Sequence, residues 1–304
     1  MRLSADELKE RASKLHEILK HCGLCPRRCG VNRLEHEKGA CNTTDHALVS
    51  TYGAHFGEER PLVGTGGSGT VFFSWCNLSC VYCQNYEISH LGHGNPVTPE
   101  MLAFMFLSLM EMGCHNINLV TPTHVIPFWV EALAIIEMET HLNIPVVYNC
   151  SGYEEIEVLK LLHGIVDIYM PDFKYWDNDI ARRFSGIKNY REAACRALKE
   201  MHRQVGDLEL DTRGVARRGI LVRHLVLPSG VSGARDVFSF ISKEISKDTY
   251  INIMDQYRPS GPKELPPPLN RRITKEEYDE AVEAARSSGL WRIDGLFLSS
   301  PLFM

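Results

Sequence analysis

The chain has 304 residues, of which 44% are hydrophobic and 23% charged, so it can bury a sizeable core as an ordinary globular protein. Its net charge is -5 and its Arg-Arg pairs are scattered, so we expect no basic surface for nucleic acid. The N-terminus is too charged for a signal peptide, and the longest apolar run, near residues 101–110, is too short to span a bilayer. These features predict a cytoplasmic protein that binds neither nucleic acid nor membrane.

The first predicted element is a helix over residues 4–21. Ser4 and Glu7 form a capping box, and Leu8, Ala12 and Leu15 fall on one face. We expect this helix to pack across the main domain.

From residue 70 onward, short apolar runs alternate with helical patterns. The predicted strands are 70–75, 117–120, 145–150, 166–170, 220–227 and 250–254. The predicted helices are 98–112, 127–141, 153–163, helical material up to 205, 235–245 and, after a proline-rich loop at 259–272, 274–288. Six βα units in series predict an α/β fold with a parallel sheet, either curved into a partial barrel or left open and doubly wound. Both architectures bind ligands at the C-terminal ends of the strands.

A glycine-rich segment, residues 64–69, matches G-x-G-x-x-G letter by letter. A dinucleotide-binding segment follows a strand and opens a helix, whereas this one precedes a strand. We therefore predict a turn here rather than a nucleotide site.

Three cysteines, Cys76, Cys80 and Cys83, follow the first of the six strands with the spacing C-x3-C-x2-C. Cysteines in a reducing compartment indicate metal or redox chemistry, and so short a loop brings its thiolates to one site. In a 4Fe-4S cluster, three cysteines leave one iron open to a small molecule. The alternative is a structural zinc whose fourth ligand is His90 or His93.

A second group of four cysteines lies nearer the N-terminus, at Cys22, Cys25, Cys29 and Cys41. Four thiolates in a glycine-containing loop fit a closed tetrahedral site, most simply structural zinc, and the alternatives are a second iron-sulfur cluster or reduced thiols without metal. We therefore divide the chain into an N-terminal helix and Cys-rich segment, residues 1–60, and a core, residues 61–304. The remaining cysteines, which stand alone in apolar patterns and are expected to be buried, are Cys114, Cys150 and Cys195.

The three-cysteine motif, with Tyr82 before its last cysteine, resembles the signature of the radical S-adenosylmethionine (radical SAM) superfamily. Within it, the similarity to pyruvate formate-lyase activating enzyme-like proteins is carried by the segment GSGTVFFSWCNLSCVYCQNYEIS, with further matches to about residue 259. The resemblance implies a partial (β/α)6 barrel and a 4Fe-4S cluster whose open iron is chelated by SAM. It also implies an oxidoreductase that cleaves SAM to a deoxyadenosyl radical for hydrogen abstraction, and a low-potential electron donor such as flavodoxin or ferredoxin.

Polar residues at the strand ends receive expected roles. Asp172 and Lys174 in MPDFKY, and Arg223 in LVRHLVLPSG, resemble residues of the activating enzymes and are the catalytic candidates. The candidate SAM contacts are Tyr82 against the adenine, Asn149 and Ser151 near the ribose, Thr121 and Thr123, and Gln256. Thr121, Thr123 and Gln256 depart from the family pattern. The family carries a Gly-Gly-Glu-Pro-like segment after the second strand and a histidine near the sixth. Each candidate also has a structural interpretation, for example a local ion pair of Asp172 and Lys174 or a turn at Asn149.

Three functional hypotheses follow. The favoured one is a radical SAM enzyme that makes a radical on a partner protein, as glycyl-radical activating enzymes do. The alternative keeps this chemistry but acts on a small molecule or an amino-acid side chain. The third is a zinc-binding scaffold without catalysis.

Overall fold

The computed structural model describes residues 3–261 and 264–294. The strands are β1 (Ala47–His55), β2 (Ser68–Phe73), β3 (Asn95–Val97), β4 (Ile117–Val120), β5 (Val146–Cys150), β6 (Ile168–Pro171), β7 (Glu209–Leu210), β8 (Ala216–Leu225) and β9 (Tyr250–Met254). The α-helices are α1 (Ala5–Glu17), α2 (Arg60–Val63), α3 (Tyr86–Ser89), α4 (Pro99–Glu111), α5 (Ile126–Glu139), α6 (Ile156–Leu161), α7 (Asn178–Ser185), α8 (Tyr190–Val205), α9 (Ala234–Phe240) and α10 (Lys275–Ser287).

These strands form one sheet in the order β3-β1-β2-β4-β5-β6-β8-β7, and β9 also pairs with β8. Strands β2, β4, β5, β6, β8 and β9 are parallel neighbours, joined by helical crossovers. The outer side of β2 is taken by β1, which runs antiparallel, so within the described residues β2 and β9 do not pair and the barrel stays open. The prediction of an α/β fold with a partial (β/α)6 barrel is confirmed.

The six parallel strands lie where the sequence predicted them, to within a few residues. Strands β4 and β5 are almost fully buried because helices cover one face and the barrel interior the other, which is why they read as continuous apolar runs. The antiparallel strands β1, β3 and β7 were not predicted. Only Ala47, Val49 and Val97 of these strands are buried, so they carry too few inward-facing apolar residues to show a period.

The helices differ more from the predictions than the strands do. The predicted helical stretch up to residue 205 is two helices, because Gly186 adopts a φ of 67° and ends α7 in the left-handed conformation. The predicted helix 153–163 is limited to α6, and α9 continues only as a π-helical turn at Ile241–Ile245.

Helix α1 has the predicted capping box of Ser4 and Glu7. Its buried side chains, Leu8, Ala12 and Leu15, pack the helix against α5, where His16 Nε2 also lies 2.8 Å from Glu131 Oε2. The segment that follows α1 therefore lies near the C-terminal ends of the parallel strands, where Arg27 contacts the carbonyl of Asn77.

The glycine-rich segment is a turn that enters β2, as predicted. Gly64 and Gly67 have φ of 45° and 83°, and a Cβ on Gly66 would collide with the carbonyl oxygen of Gly113. Just before the turn, Leu62 enters a small apolar cluster with Val147 at the opposite end of the barrel from the cysteines.

Cys114 and Cys150 are buried as predicted, whereas Cys195 is half-buried. Among the described helices, none combines the length and apolar composition needed to cross a bilayer. The division of the chain at residue 60 stays a prediction, and β1, which precedes residue 60, pairs within the sheet of the core. Residues 262–263 of the predicted proline-rich loop and 295–304 of the predicted core lie outside the described residues.

Candidate functional site

The loop that follows β2, residues 76–83, is here named the core cysteine loop. It is entered through Trp75, which adopts a φ of 69° and donates its N–H to the carbonyl of Ile88 at 3.0 Å. Gly92 packs on the Trp75 ring so closely that any Cβ there would collide with it. A bulky residue in the left-handed region is costly and is found mainly where a site requires the conformation.

Each thiol of this loop has a polar neighbour. Cys80 Sγ lies 2.9 Å from Ser185 Oγ, and Ser89 Oγ donates to Cys83 Sγ at 3.0 Å. The backbone N–H of residue 78 points at Cys76 Sγ, 3.4 Å away. Burial raises the pKa of the Cys80 thiol, while the nearby Lys174 ammonium acts in the opposite direction. Such donors and charges stabilise thiolates once a metal has displaced their protons.

A cavity of about 180 Å³ opens directly above this loop. The predicted site residues that line it are Cys76, Cys80, Cys83, Thr121, Asn149, Ser151, Asp172, Lys174 and Arg223. They come from the C-terminal ends or from just beyond β2, β4, β5 and β6, and from within β8. Parallel pairing therefore brings residues from positions 76 to 223 to one place.

Charged groups occupy one wall of the cavity. Arg223 Nε donates to Asp172 Oδ1 at 2.7 Å, and Lys174 Nζ donates to Asp172 Oδ2 at 2.6 Å. Arg223 Nη2 also donates to Asn149 Oδ1 at 2.6 Å. Burial by itself would raise the pKa of Asp172, but Arg223 and Lys174 outweigh it and hold that pKa below its usual range. Asp172 is thus an ionised carboxylate that orients two cations at the cavity.

Two glutamates that sequence reasoning missed lie beneath this wall. Glu59 Oε1 is 3.7 Å from Arg223 Nη1 and accepts from Asn252 Nδ2 at 2.9 Å, and Glu58 Oε2 is 4.0 Å from the same guanidinium. Burial raises the pKa of Glu58, and Arg223 opposes that rise. Both residues come from the loop between β1 and α2. No local motif marks them, because only the fold of the chain between β1 and α2 brings them close to Arg223.

Tyr190, at the start of α8, was also missed. Its hydroxyl donates toward the carbonyls of Ser151 and Asp172, each at 2.9 Å, and accepts from the N–H of Lys174 at 2.7 Å. One buried hydroxyl thus fixes the ends of β5 and β6 relative to each other. In the sequence it reads as an ordinary core aromatic residue of an amphipathic helix.

Three predicted SAM contacts are not among the residues that line the cavity. Tyr82 is buried, with its hydroxyl 2.5 Å from that of Tyr175. Thr123 Oγ1 donates to the buried carboxyl of Glu154 at 2.8 Å, and Gln256 is exposed. The structure does not bring these three to the cavity, and their roles toward SAM stay predictions.

The family comparison agrees with the position of this site. A model of the radical SAM superfamily matches residues 70–208, a span that contains most of β2, the core cysteine loop and strands β3 to β6. The chain therefore contains a radical SAM superfamily domain.

Two relatives from Methanocaldococcus jannaschii extend the match. The uncharacterized protein MJ0674 is 35% identical over 285 residues, which are 90% of this chain and 76% of the relative. The uncharacterized protein MJ0808 is 24% identical over 261 residues, 78% of this chain and 70% of the relative. Among solved structures, Streptococcus suis SuiB bound to S-adenosylmethionine has a TM-score of 0.49 and 10% identity, over 72% of this chain and 47% of that one. The finer resemblance to pyruvate formate-lyase activating enzymes stays a prediction.

The superfamily implies a 4Fe-4S cluster and SAM, and the residues present fit both. Three thiols border a cavity that also offers hydroxyl, amide, ammonium and carboxylate groups, the donors and acceptors that a zwitterionic amino acid needs. No group of three or more His, Cys, Asp or Glu side chains in the described part of the chain is arranged to hold a single metal ion. Zinc is therefore not supported, either with His90 or His93 or at the N-terminal cysteines.

Proposed function

We propose that this protein is an enzyme that cleaves SAM reductively and abstracts a hydrogen atom from its substrate. The observation that carries the proposal is the convergence of three thiols and the polar ends of neighbouring strands on one cavity. Cys76, Cys80 and Cys83 would hold the 4Fe-4S cluster. When bound, the cluster supplies an electron and SAM supplies the deoxyadenosyl radical, so the chemistry belongs to the cofactors.

In this proposal, the chain's own residues bind SAM and orient it in the cavity. Lys174 lies next to both Asp172 and Cys80, so its positive charge faces the thiolates and attracts a carboxylate into the cavity. Asp172 can receive a cationic group, and Asn149 and Ser151 offer hydrogen bonds to a sugar. Because Arg223 and Tyr190 hold these strand ends in place, little reorganisation is needed when a ligand enters.

The substrate class that we favour is a partner protein that receives a radical. This rests on the resemblance of the segment around the core cysteine loop to activating enzymes of glycyl-radical proteins. The alternative is a small molecule or a side chain that is modified without leaving a stable radical. In either case we propose a low-potential donor such as flavodoxin or ferredoxin as the source of electrons.

Cleavage of SAM can be measured directly. The anaerobically reconstituted, dithionite-reduced protein should release deoxyadenosine and methionine in equal amounts, and Cys80→Ala should release neither. Cys195→Ser, which alters a half-buried cysteine outside the site, is the matched control and should behave as the wild type. A reconstituted wild-type protein that neither binds nor cleaves SAM would exclude the proposal.

The two substrate classes differ in what remains after the reaction. With deuterated candidate partner protein, the favoured class predicts deuterium in the deoxyadenosine and a stable radical signal on the partner in electron paramagnetic resonance. If deuterium is transferred from a small molecule and no protein radical persists, the partner-protein class is wrong and the small-molecule class is supported.

A further inference from the structure

The cysteine residues before β1 lie in a loop, residues 22–41, here named the N-terminal cysteine loop. Its four thiols border one small cavity, which is also lined by Arg27, Arg33 and His124. None of the four is in a disulfide. The loop is folded tightly: the N–H of residue 30 donates to the carbonyl of Cys22, and the N–H of residue 40 points at Cys29 Sγ, 3.4 Å away. N–H groups aimed at sulfur are typical of metal-thiolate sites.

A buried cation faces these thiols. Arg33 is 1% exposed, and its guanidinium donates to the carbonyls of Thr44, at 3.0 and 2.7 Å, and of His124, at 2.8 Å. Across the described ranges, no carboxylate is within ion-pair distance of Arg33. A charge buried without a countercharge is costly, so the fold implies an anion nearby. Thiolates around a metal centre would provide it.

A second buried group points to a ligand independently. His124 Nε2 donates to the carbonyl of Ser74 at 2.7 Å, while its Nδ1 is buried and has no hydrogen-bond partner among the described residues. Because Nε2 carries the proton that it donates to Ser74, Nδ1 of the neutral ring presents a lone pair. His124 lines the same cavity as the four cysteines, and a buried lone pair is satisfied by a proton donor or by a metal.

The arrangement of the cysteines disfavours a single metal ion. The sulfurs of a tetrahedral zinc site lie ~3.8 Å apart, since each Zn–S bond is ~2.3 Å. The four cysteines are not arranged to hold one ion, and neither are Cys76, Cys80 and Cys83, the ligands expected for the superfamily's cluster. In a cluster each cysteine binds a different iron, so an arrangement that does not suit a single ion can still suit a cluster, as the superfamily implies for Cys76, Cys80 and Cys83.

We propose that Cys22, Cys25, Cys29 and Cys41 hold a second iron-sulfur cluster, whose negative charge is balanced by Arg33. This centre adjoins the first one. Arg27 Nε donates to the carbonyl of Asn77 at 2.5 Å, next to Cys76, and His124 is bonded to Ser74, two residues before Cys76. The two cysteine loops therefore share a wall.

Iron content tests the proposal without relying on activity. After anaerobic reconstitution, the wild type should hold about eight irons per chain and the Cys76→Ala/Cys80→Ala/Cys83→Ala variant about four. The Cys25→Ser/Cys29→Ser variant should lose the other four. Zinc in place of iron, or no metal in the core triple variant, overturns the proposal. Because the triple variant retains only the second centre, this result is independent of whether the enzyme cleaves SAM.

A redox titration of the wild type covers the case in which these variants do not fold. Two reduced cluster signals should appear, and only one should change when SAM is added; a single signal overturns the proposal. Arg33→Met should shift the signal that is insensitive to SAM to a more negative potential, because a positive charge beside it is lost. Arg28→Gln is the matched control, since Arg28 also lines the cavity but its side chain is 70% exposed and pairs with Glu155, so the potential should hardly move.

Discussion

The core cysteine loop and the N-terminal cysteine loop carry the same ligand type in different surroundings. The first offers three thiols to a polar cavity that four strands supply with charged and amide groups. The second surrounds its small cavity with four thiols, a buried arginine and a neutral histidine. An open ligand position beside charged and amide groups favours reaction, whereas a saturated set of thiols with a buried countercharge favours a resident centre. The number of cysteines and the polarity of the neighbouring wall therefore separate the two roles.

The largest expected effect comes from removing one thiol from each loop. Cys80→Ala should abolish deoxyadenosine formation, because three ligands are the minimum for the cluster. Cys29→Ser should instead lower the melting temperature by more than about 5 °C, since metal binding in such a loop contributes to folding, while a soluble fraction still cleaves SAM. Calorimetry and product analysis on both variants check this. Loss of cleavage in Cys29→Ser with an unchanged melting temperature would remove the distinction between the loops.

The charged wall of the core cavity gives the next effect. Asp172→Asn leaves Arg223 and Lys174 buried without their shared carboxylate, so the free energy of unfolding should fall by about 3 to 5 kcal/mol. Glu59→Gln keeps an acceptor for Asn252 and removes a charge 3.7 Å from Arg223. It should therefore lower the free energy of unfolding by only about 1 to 2 kcal/mol. Denaturant unfolding measures both. Equal losses would mean that Asp172 does not hold the two cations.

Most of the sheet could be predicted from the sequence because parallel strands are buried on both faces and read as apolar runs. The register of β4 against β5, which pairs Val120 with Asn149, could not be predicted from the sequence, because several registers bury the same residues. The exposed antiparallel strand β1 was missed for the opposite reason, because it carries few inward-facing apolar residues.

Site residues could be predicted where the chemistry requires a fixed spacing in the sequence, as for the three cysteines. They could also be predicted where a polar residue directly follows an apolar strand, as for Asp172. Glu59 and Arg33 carry no such signal. Their importance comes from contacts with residues far away in the chain, Arg223 and His124, and a glutamate or arginine in a loop is normally solvated.

The buried carboxyl group of Glu154 should make the stability of the protein depend on pH. Burial raises the pKa of Glu154 from 4.5 to about 7, against hydrogen bonds from Thr123 and Tyr148 that lower it. The folded state therefore binds more protons than the unfolded state between these values, and the free energy of unfolding should fall by about 3 kcal/mol as pH rises through this window. Glu154→Gln should flatten the slope that unfolding curves show across this range.

Glu157→Gln serves as the control for this slope, because Glu157 is exposed and pairs with Lys160 at the surface. It should leave the slope as in the wild type. If Glu154→Gln and the wild type show the same slope, Glu154 is ionised in the folded protein.

The smallest effect is expected at the rim of the N-terminal cysteine loop. Arg28 Nε lies 2.9 Å from Glu155 Oε2, but the arginine is largely exposed. Arg28→Gln should therefore change the free energy of unfolding by less than about 1 kcal/mol. A larger loss in denaturant unfolding would indicate that Arg28, like Arg33, carries charge for the cavity behind it.

The central claim is that the core cysteine loop holds a cluster with one iron open to SAM. Electron-nuclear double resonance on the reduced protein, with SAM isotopically labelled in its amino and carboxylate groups, tests it most directly. We expect hyperfine coupling from both labelled groups to the cluster in the wild type and in Cys195→Ser. A cluster signal that shows no coupling to either label, at SAM concentrations that saturate binding, would contradict the claim.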